Sequence, residues 1–271
     1  MPSEPLQRQL EHRVGAFTLE RLAGLSGRAV YRLQSESGVW LLKTDPLENE
    51  RWFYKVYAPK LRAAGIGIPR LEASGDVWLL LEFLPEPLPP ERWLADPEAL
   101  SLLSRLHAHT QARDWDCAFQ PQWTPQMTQC AANFMPPERV QAVERKLEEL
   151  RAVCLPLFDS ECLISGDPNP KNWGLHTDGT LNLFDWERFT SASPLIDLAI
   201  TVPGLGQLED FQTVLETYKV SSGKPESDKS VAGLVAAKAW TVVELLEKLD
   251  DEEIKRYLVD TFPDWLERVS V

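Results

Sequence analysis

Cysteine is scarce, with 4 in 271 residues, and Cys117, Cys130, Cys154 and Cys162 form no C-x-x-C pair. Zinc ribbons and disulfide frameworks need closely spaced or paired cysteines, so the expectation is reduced thiols in a cytoplasmic chain. No apolar run approaches the roughly 18 residues that span a membrane. The opening stretch, MPSEPLQRQLEHRVG, is charged and lacks an apolar core, so no secretory leader is expected. Basic residues are outnumbered, 28 Lys and Arg against 41 Asp and Glu, for a formal net charge of −13. That balance argues against a nucleic-acid or anionic-membrane partner. It suits a cationic small partner, but solubility alone would account for it and is the favoured reading. Internal repeats and low-complexity stretches are also lacking.

What remains is an ordinary globular composition, 44% hydrophobic and 25% charged, long enough for two lobes. The segments FTLERLA (17–23), RAVYRLQS (28–35) and VWLLKT (39–44) are short, aliphatic or aromatic, and punctuated by Gly and Ser, which predicts strands. LENERWFYKVYAPKLRAAG (47–65) has its apolar residues near helical spacing and ends on Gly65, which predicts one helix. PRLEAS and DVWLLLEF predict two more strands. LPEPLPPERW (84–93) holds four prolines, a stiff connector that marks a boundary. Beyond it, helical periodicity dominates. The expected fold is α+β, with a β-rich lobe over 1–84, a larger mainly helical lobe over 85–271, and a small-molecule site in the cleft between them.

The stretch ISGDPNPKNWGL (164–175) is the strongest chemical signal. Pro168 and Pro170 stiffen the loop that presents Asp167. Asn172 follows five residues later, with an amide oxygen suited to a hard cation. NWGLH, a turn at Asp178-Gly179 and TLNLF predict a hairpin that returns Asp185 of LFDWE. Asn172 and Asp185 would supply oxygen ligands to Mg²⁺, and Asp167 would accept a proton from a substrate hydroxyl. This is the division of labour that phosphoryl transfer needs.

The β-rich lobe supplies the matching parts. Lys43 closes the third predicted strand and Glu50 lies on the helix after it, a cation for phosphates and an acid to orient it. Gly24 and Gly27 form a turn that could lie over phosphates; a plain hairpin turn explains them as well. Glu187, beside the aspartate motif, is a candidate to contact substrate or bound water. Trp115, Phe119, Trp123 and Phe134 in the irregular stretch 112–135, and the acids from Glu244 to Glu253, could serve a cationic substrate, but burial and a solvated helical face are the simpler readings. His107 and His109, within an apolar helix, read as packing residues.

The ordered set SGDPNPKN, FDWE and IDLA, preceded by VWLLK, NERWFYKVYAPKLRAAGIGIPRL and SRLHAHT, resembles the aminoglycoside phosphotransferase and choline kinase-like family, small-molecule relatives of protein kinases. The resemblance spans residues 17 to 205 and implies a bilobal protein kinase-like fold. It implies Asp167 as base, Asn172 and Asp185 as Mg²⁺ ligands, Lys43 on the α- and β-phosphates of ATP or GTP, and Glu50 orienting Lys43. LEFL (81–84) becomes the hinge that meets the nucleotide base, through Glu82 and Leu84. The implied reaction moves a γ-phosphate to a hydroxyl of a small, cationic compound such as an amino alcohol, amino sugar or aminoglycoside. Two features depart from the family pattern: its histidine before Gly-Asp is Ser165 here, and the Gly-rich loop is short. Asp197 of IDLA would support the loop around Asp167. A protein kinase is disfavoured, because no activation segment separates FDWE from PLIDLA. A non-enzymatic nucleotide-binding scaffold is the remaining rival.

Overall fold

The structure, a computed structural model, describes residues 2–22, 29–113, 115–223, 230–248 and 251–269. Gly24 and Gly27 lie outside the described residues. The chain divides into two compact units, one of Met1–Pro87 with Trp173–Arg188, the other of Leu88–Asn172 with Phe189–Val271.

The first unit is built on an antiparallel sheet in the order β1-β2-β3-β5-β4. Its strands are β1 (Phe17–Leu22), β2 (Val30–Ser35), β3 (Gly38–Thr44), β4 (Leu71–Ser74) and β5 (Trp78–Glu82). β1, β2, β3 and β5 carry the β-branched or aromatic residues that favour a pleated surface, whereas β4, LEAS, has none and pairs along β5. The N-terminal segment departs from the expectation of strands plus a single helix: it forms helix α1 (Glu4–Val14). Leu6, Leu10 and Val14 recur every four residues, so they share one face of that helix and join Tyr31, Leu33, Leu42, Ala73, Trp78 and Leu80 in a core. The charges between them face water and hide the pattern in a hydropathy reading.

The helix expected over 47–65 is present but not uniform. It runs as α2 (Glu48–Trp52), a π-helical turn (Phe53–Tyr57) and α3 (Ala58–Ala63). Pro59 has no N–H to give and its ring crowds the preceding turn, and the ladder widens just before it. A short three-stranded sheet completes the unit: β6 (Glu86–Pro87) pairs with β8 (Trp173–Leu175), which pairs with β9 (Leu181–Leu183). β8 and β9 form the expected hairpin, closed by Thr180 N–H donating to Asp178 Oδ1 at 2.9 Å and by Gly179 N–H donating to His176 O at 2.9 Å. Leu183 N–H donates to Gly67 O at 3.0 Å, which fixes the hairpin to the segment before β4.

The second unit is mainly helical: α4 (Pro97–His107), α5 (Pro125–Asn133), α6 (Val140–Cys154), α7 (Pro194–Thr201), α8 (Leu208–Ser222), α9 (Ser230–Lys248) and α10 (Glu252–Arg268), with the two-residue strands β7 (Leu163–Ile164) and β10 (Thr190–Ser191) paired. Helix α5 lies within a stretch expected to be irregular. Thr124 caps it by accepting from Met127 N–H at 3.2 Å, and Pro125 sits at its first position, where no donor is needed. Trp115 and Trp123 are buried as the packing reading expected, whereas Phe134 is 43% exposed. Helix α9 is central, with Leu234, Val235, Ala236, Ala237, Ala239 and Trp240 all fully buried. A helix apolar on every face belongs inside a protein.

The α1 contact is open to a direct test. Leu10 is fully buried between helix and sheet. Leu10→Ala is expected to lower stability by about 3 kcal/mol, read as a lower urea midpoint with an unchanged slope. A change below about 0.5 kcal/mol would mean that α1 contributes little to the unit.

Candidate active site

In the first unit, Lys43 stands one residue before the end of β3 with its side chain turned inward. Its Nζ lies 2.7 Å from Glu50 Oε2, 2.8 Å from Asp185 Oδ1 and 2.8 Å from Glu187 Oε1. Lys43 and Glu50 are buried, at 5% and 1% exposure. Burial works to lower the Lys43 pKa, but the charges of Glu50, Asp185 and Glu187 more than offset it, so the ammonium is held well above its ordinary value. Glu50 is also raised: burial, helped by Asp185 and Glu187 and opposed by Lys43, pushes it up to about 7.

Local sequence explains how these groups meet. Trp186, between Asp185 and Glu187, is fully buried and stacks on Phe53 with ring centroids 4.2 Å apart. Phe53 is three residues beyond Glu50, so this stack ties the helix that carries the acid to the segment that carries the aspartate. Trp186 also donates its indole N–H to Leu183 O at 2.9 Å, and Asn49 donates its amide N–H to Glu187 O at 3.0 Å. Asp185 has φ 63°, a conformation that a side-chain-bearing residue rarely adopts and that here bends the chain out of the hairpin.

Three carboxylates face one ammonium, an excess of negative charge in a largely buried place. One oxygen each from Glu50, Asp185 and Glu187 can lie within 4.8 Å of the others. Hard carboxylate oxygens at that spacing, with charge to neutralise, fit Mg²⁺ or Ca²⁺. Tyr54 adds a buried phenol with no hydrogen-bond partner among the described residues, its pKa pushed up by burial and then by the charges of Glu50 and Asp185. Glu187, the candidate to contact substrate or bound water, lies 2.8 Å from Lys43. Glu82 is engaged with Arg70 at 3.0 Å and with His176 at 3.6 Å. Leu84 lies over Gly174, where a Cβ would meet it at 2.7 Å, so that position needs glycine.

In the second unit, Asp167 stands on a loop after β7. Gly166 before it has φ 79°, which is why a glycine precedes the aspartate. Asp197, fully buried on α7, accepts from Ser165 N–H at 2.9 Å and from Gly166 N–H at 2.8 Å. This is the supporting role expected of it. His107 Nε2 reaches the same carboxylate at 3.1 Å, and its Nδ1 lies 2.9 Å from Tyr218 Oη. Burial, then the charge of Asp197, pushes the Tyr218 phenol up. Tyr218 therefore donates to Nδ1, which leaves Nε2–H to donate to Asp197. Ser165 accepts from Asp167 N–H at 3.2 Å. The amide of Asn172 donates to Asp167 O at 2.9 Å, which leaves the Asn172 oxygen for another partner.

Sequence reasoning did not single out Lys238, a lysine enclosed by apolar residues on α9. Its signal was a lone charge in VAGLVAAKAWTVV, where a helix face offers no water.

The sheet-plus-helix first unit, the supported aspartate loop and the Lys–Glu–Asp cluster fit a protein kinase-like phosphotransferase fold. The chain belongs to the phosphotransferase enzyme family, whose model matches residues 18–229. No curated protein matches it. Among solved structures, a spectinomycin phosphotransferase in complex with ADP and spectinomycin is similar at TM-score 0.70 and 13% identity, covering 99% of this chain and 98% of that one. An amicoumacin kinase with AMP-PNP and Ca²⁺ is similar at TM-score 0.66 and 16% identity, over 98% of this chain and 93% of that one. Choline kinase LicA from Streptococcus pneumoniae is similar at TM-score 0.65 and 14% identity, over 97% and 99%. At such identities the likeness is one of fold.

The charge imbalance predicts how Lys43→Met behaves. Removing the ammonium leaves three acids without their cation, and metal-free stability should fall by about 3 kcal/mol. Added Mg²⁺ or Ca²⁺ should then raise the melting temperature of the variant more than that of the wild type. Equal metal responses in the two proteins would refute the carboxylate cluster as a cation site.

Proposed function

We propose that this protein is a kinase of small hydroxyl compounds that takes the γ-phosphate from ATP or GTP. The observation that carries the reading is the Lys43 cluster, one buried ammonium held by Glu50, Asp185 and Glu187 in a chain of the phosphotransferase enzyme family. In this reading Lys43 binds the α- and β-phosphates and Glu50 keeps it oriented. Asp185 and Asn172 hold Mg²⁺, with Glu187 as a further carboxylate close by. The bound ion would neutralise charge on the phosphates. Glu82 and Leu84 flank the base of the nucleotide.

Asp167 orients the acceptor hydroxyl and takes its proton. Its backbone is fixed through the Asp197 bonds to Ser165 and Gly166, so the carboxylate is aimed before the acceptor arrives. Ser165, in place of the family histidine, keeps the loop closed through its bond to Asp167 N–H, which supports an active loop. The acceptor we favour is a small compound that carries amino as well as hydroxyl groups. The net charge of −13 supports it, and so do similar structures described as choline, spectinomycin and amicoumacin enzymes.

Two substitutions test the assignment together. Asp167→Asn should keep the fold and Mg²⁺–nucleotide affinity while turnover falls by at least ~100-fold, the usual scale for a positioned base. Asp185→Asn removes a charged ligand and should weaken Mg²⁺–nucleotide binding as well as turnover. Turnover is read as nucleoside diphosphate formed against a panel of amino alcohols, amino sugars and aminoglycosides, with folding checked by circular dichroism. Near-normal turnover in Asp167→Asn would remove the base assignment.

A further inference from the structure

The hairpin that leads to Asp185 and Glu187 meets the segment before β4 at a glycine. Asp185 follows β9, Leu181–Leu183, by two residues. Leu183 N–H donates to Gly67 O at 3.0 Å. The two backbones also touch there: a Cβ on Gly67 would run into Leu181 O and lie 3.1 Å from Leu181 C and 3.2 Å from Asn182 Cα. These are backbone atoms of a strand that is itself paired, Leu181 with Leu175, Asn182 with Gly174 and Leu183 with Trp173, so they cannot turn aside as the tip of a side chain can. Gly67 does not have a positive φ, so its own conformation does not call for glycine. The close approach of β9 does.

The other side of Gly67 is fastened to the helical run that carries Glu50. Gly65 N–H donates to Arg62 O at 2.9 Å and Ile66 N–H to Leu61 O at 3.1 Å, which closes the end of α3. The Arg62 guanidinium donates to Pro69 O at 3.2 Å. Ile66 and Ile68, on either side of the glycine, are buried. Gly67 is thus a joint between the helix of the acid and the strand that leads to the aspartate. The carboxylates that converge on Lys43 do so at 2.7 to 2.8 Å, from Glu50, Asp185 and Glu187. A shift of β9 by about 1 Å would take two of the three out of that reach.

We infer that Gly67 is a positioning residue for the metal-binding carboxylates: the missing side chain lets β9 sit close enough for Asp185 and Glu187 to converge with Glu50. The inference rests on the reading of Asp185 as a Mg²⁺ ligand. Gly67 touches neither nucleotide nor ion in that reading and acts only through the strand. Its effect therefore depends on how exacting the ion is. Mg²⁺ demands near-ideal octahedral geometry at short distances, whereas Ca²⁺ accepts longer and more irregular sets of oxygens. A displaced Asp185 should cost Mg²⁺ far more than Ca²⁺, and binding of nucleotide without an ion should change little.

The test is calorimetric titration of ATP and GTP into wild type, Gly67→Ala and Gly179→Ala, each with Mg²⁺, with Ca²⁺ and with chelator. Gly179 lies in the turn of the same hairpin, with φ 84° and open space where a Cβ would go, so its substitution strains the hairpin without pushing β9. In Gly67→Ala the Mg²⁺–nucleotide affinity should fall by about ten-fold or more, the usual scale for a lost support of a metal ligand. The Ca²⁺–nucleotide affinity should fall by less than about three-fold and the chelator value should stay within about two-fold. Gly179→Ala should lower the melting temperature and leave all three affinities within about two-fold of wild type. Equal losses with Mg²⁺, Ca²⁺ and chelator, or the Mg²⁺ loss appearing in Gly179→Ala as well, would mean general damage and overturn the inference. A wild-type Mg²⁺ effect that Gly67→Ala keeps in full overturns the inference alone; no Mg²⁺ effect in the wild type removes the Asp185 reading and the inference with it. Should Gly67→Ala not fold, amide hydrogen exchange in the wild type decides. Mg²⁺–nucleotide should slow exchange of Leu183 N–H by at least about ten-fold over nucleotide with chelator, and slow Gly179 N–H by less than about three-fold, because a joint that holds the ligands is held by them in return. Equal slowing at the two amides, or none at Leu183, overturns the proposal.

Discussion

The first unit is organised around one ammonium that three acids share. Lys43 is reached from three directions: its own strand, the helix of Glu50, and the segment after the β8–β9 hairpin that carries Asp185 and Glu187. Like charges this close repel one another at considerable cost when water is largely excluded. The arrangement persists because the cation sits among them and because the Phe53–Trp186 stack and the Asn49 bond to Glu187 O hold the backbone in place. Apolar packing brings the acids together and the cation makes their proximity tolerable. Such a place favours any ligand that adds positive charge near the carboxylates or gives Lys43 a better anion.

The second unit solves a different problem, that of holding a loop carboxylate at a fixed angle. The answer is a buried chain of donors: Tyr218 to His107, His107 to Asp197, and Asp197 accepting from the two amides before Asp167. His107 and Asp197 are fully interior and Tyr218 is half-buried, so the inner links are worth more than surface bonds and loss of His107 would leave Asp197 a buried group short of a partner. Ser165 fits within this scheme because a hydroxyl suffices to cap Asp167 N–H.

Much of this was legible in the sequence where local chemistry dictates structure. The Asp178-Gly179 turn fixed the hairpin, and the hairpin fixed where Asp185 falls along the chain. Lys43 and Glu50 were readable because a strand end and a following helix are set by local composition. Other features depend on tertiary context. Helix α1 was disguised by the charges between Leu6, Leu10 and Val14, whose common face acquires meaning only against the sheet. The π turn follows from Pro59 acting within a helix that the apolar spacing made look regular. That Glu187 also reaches Lys43 was not legible, since nothing in DWE says that alternate side chains converge on a lysine far away in sequence. Lys238 shows in the sequence only as a lone charge among apolar residues, and its burial follows from the packing around α9.

The central claim is that the Lys43 cluster is a metal-dependent nucleotide site. Titration calorimetry with ATP and with GTP, each with Mg²⁺ and with chelator, tests it most directly. The account predicts that at least one nucleotide binds at submillimolar concentration with Mg²⁺ and clearly more weakly with chelator. Equal affinity with and without the ion, or no binding of either nucleotide at millimolar concentration, would contradict it.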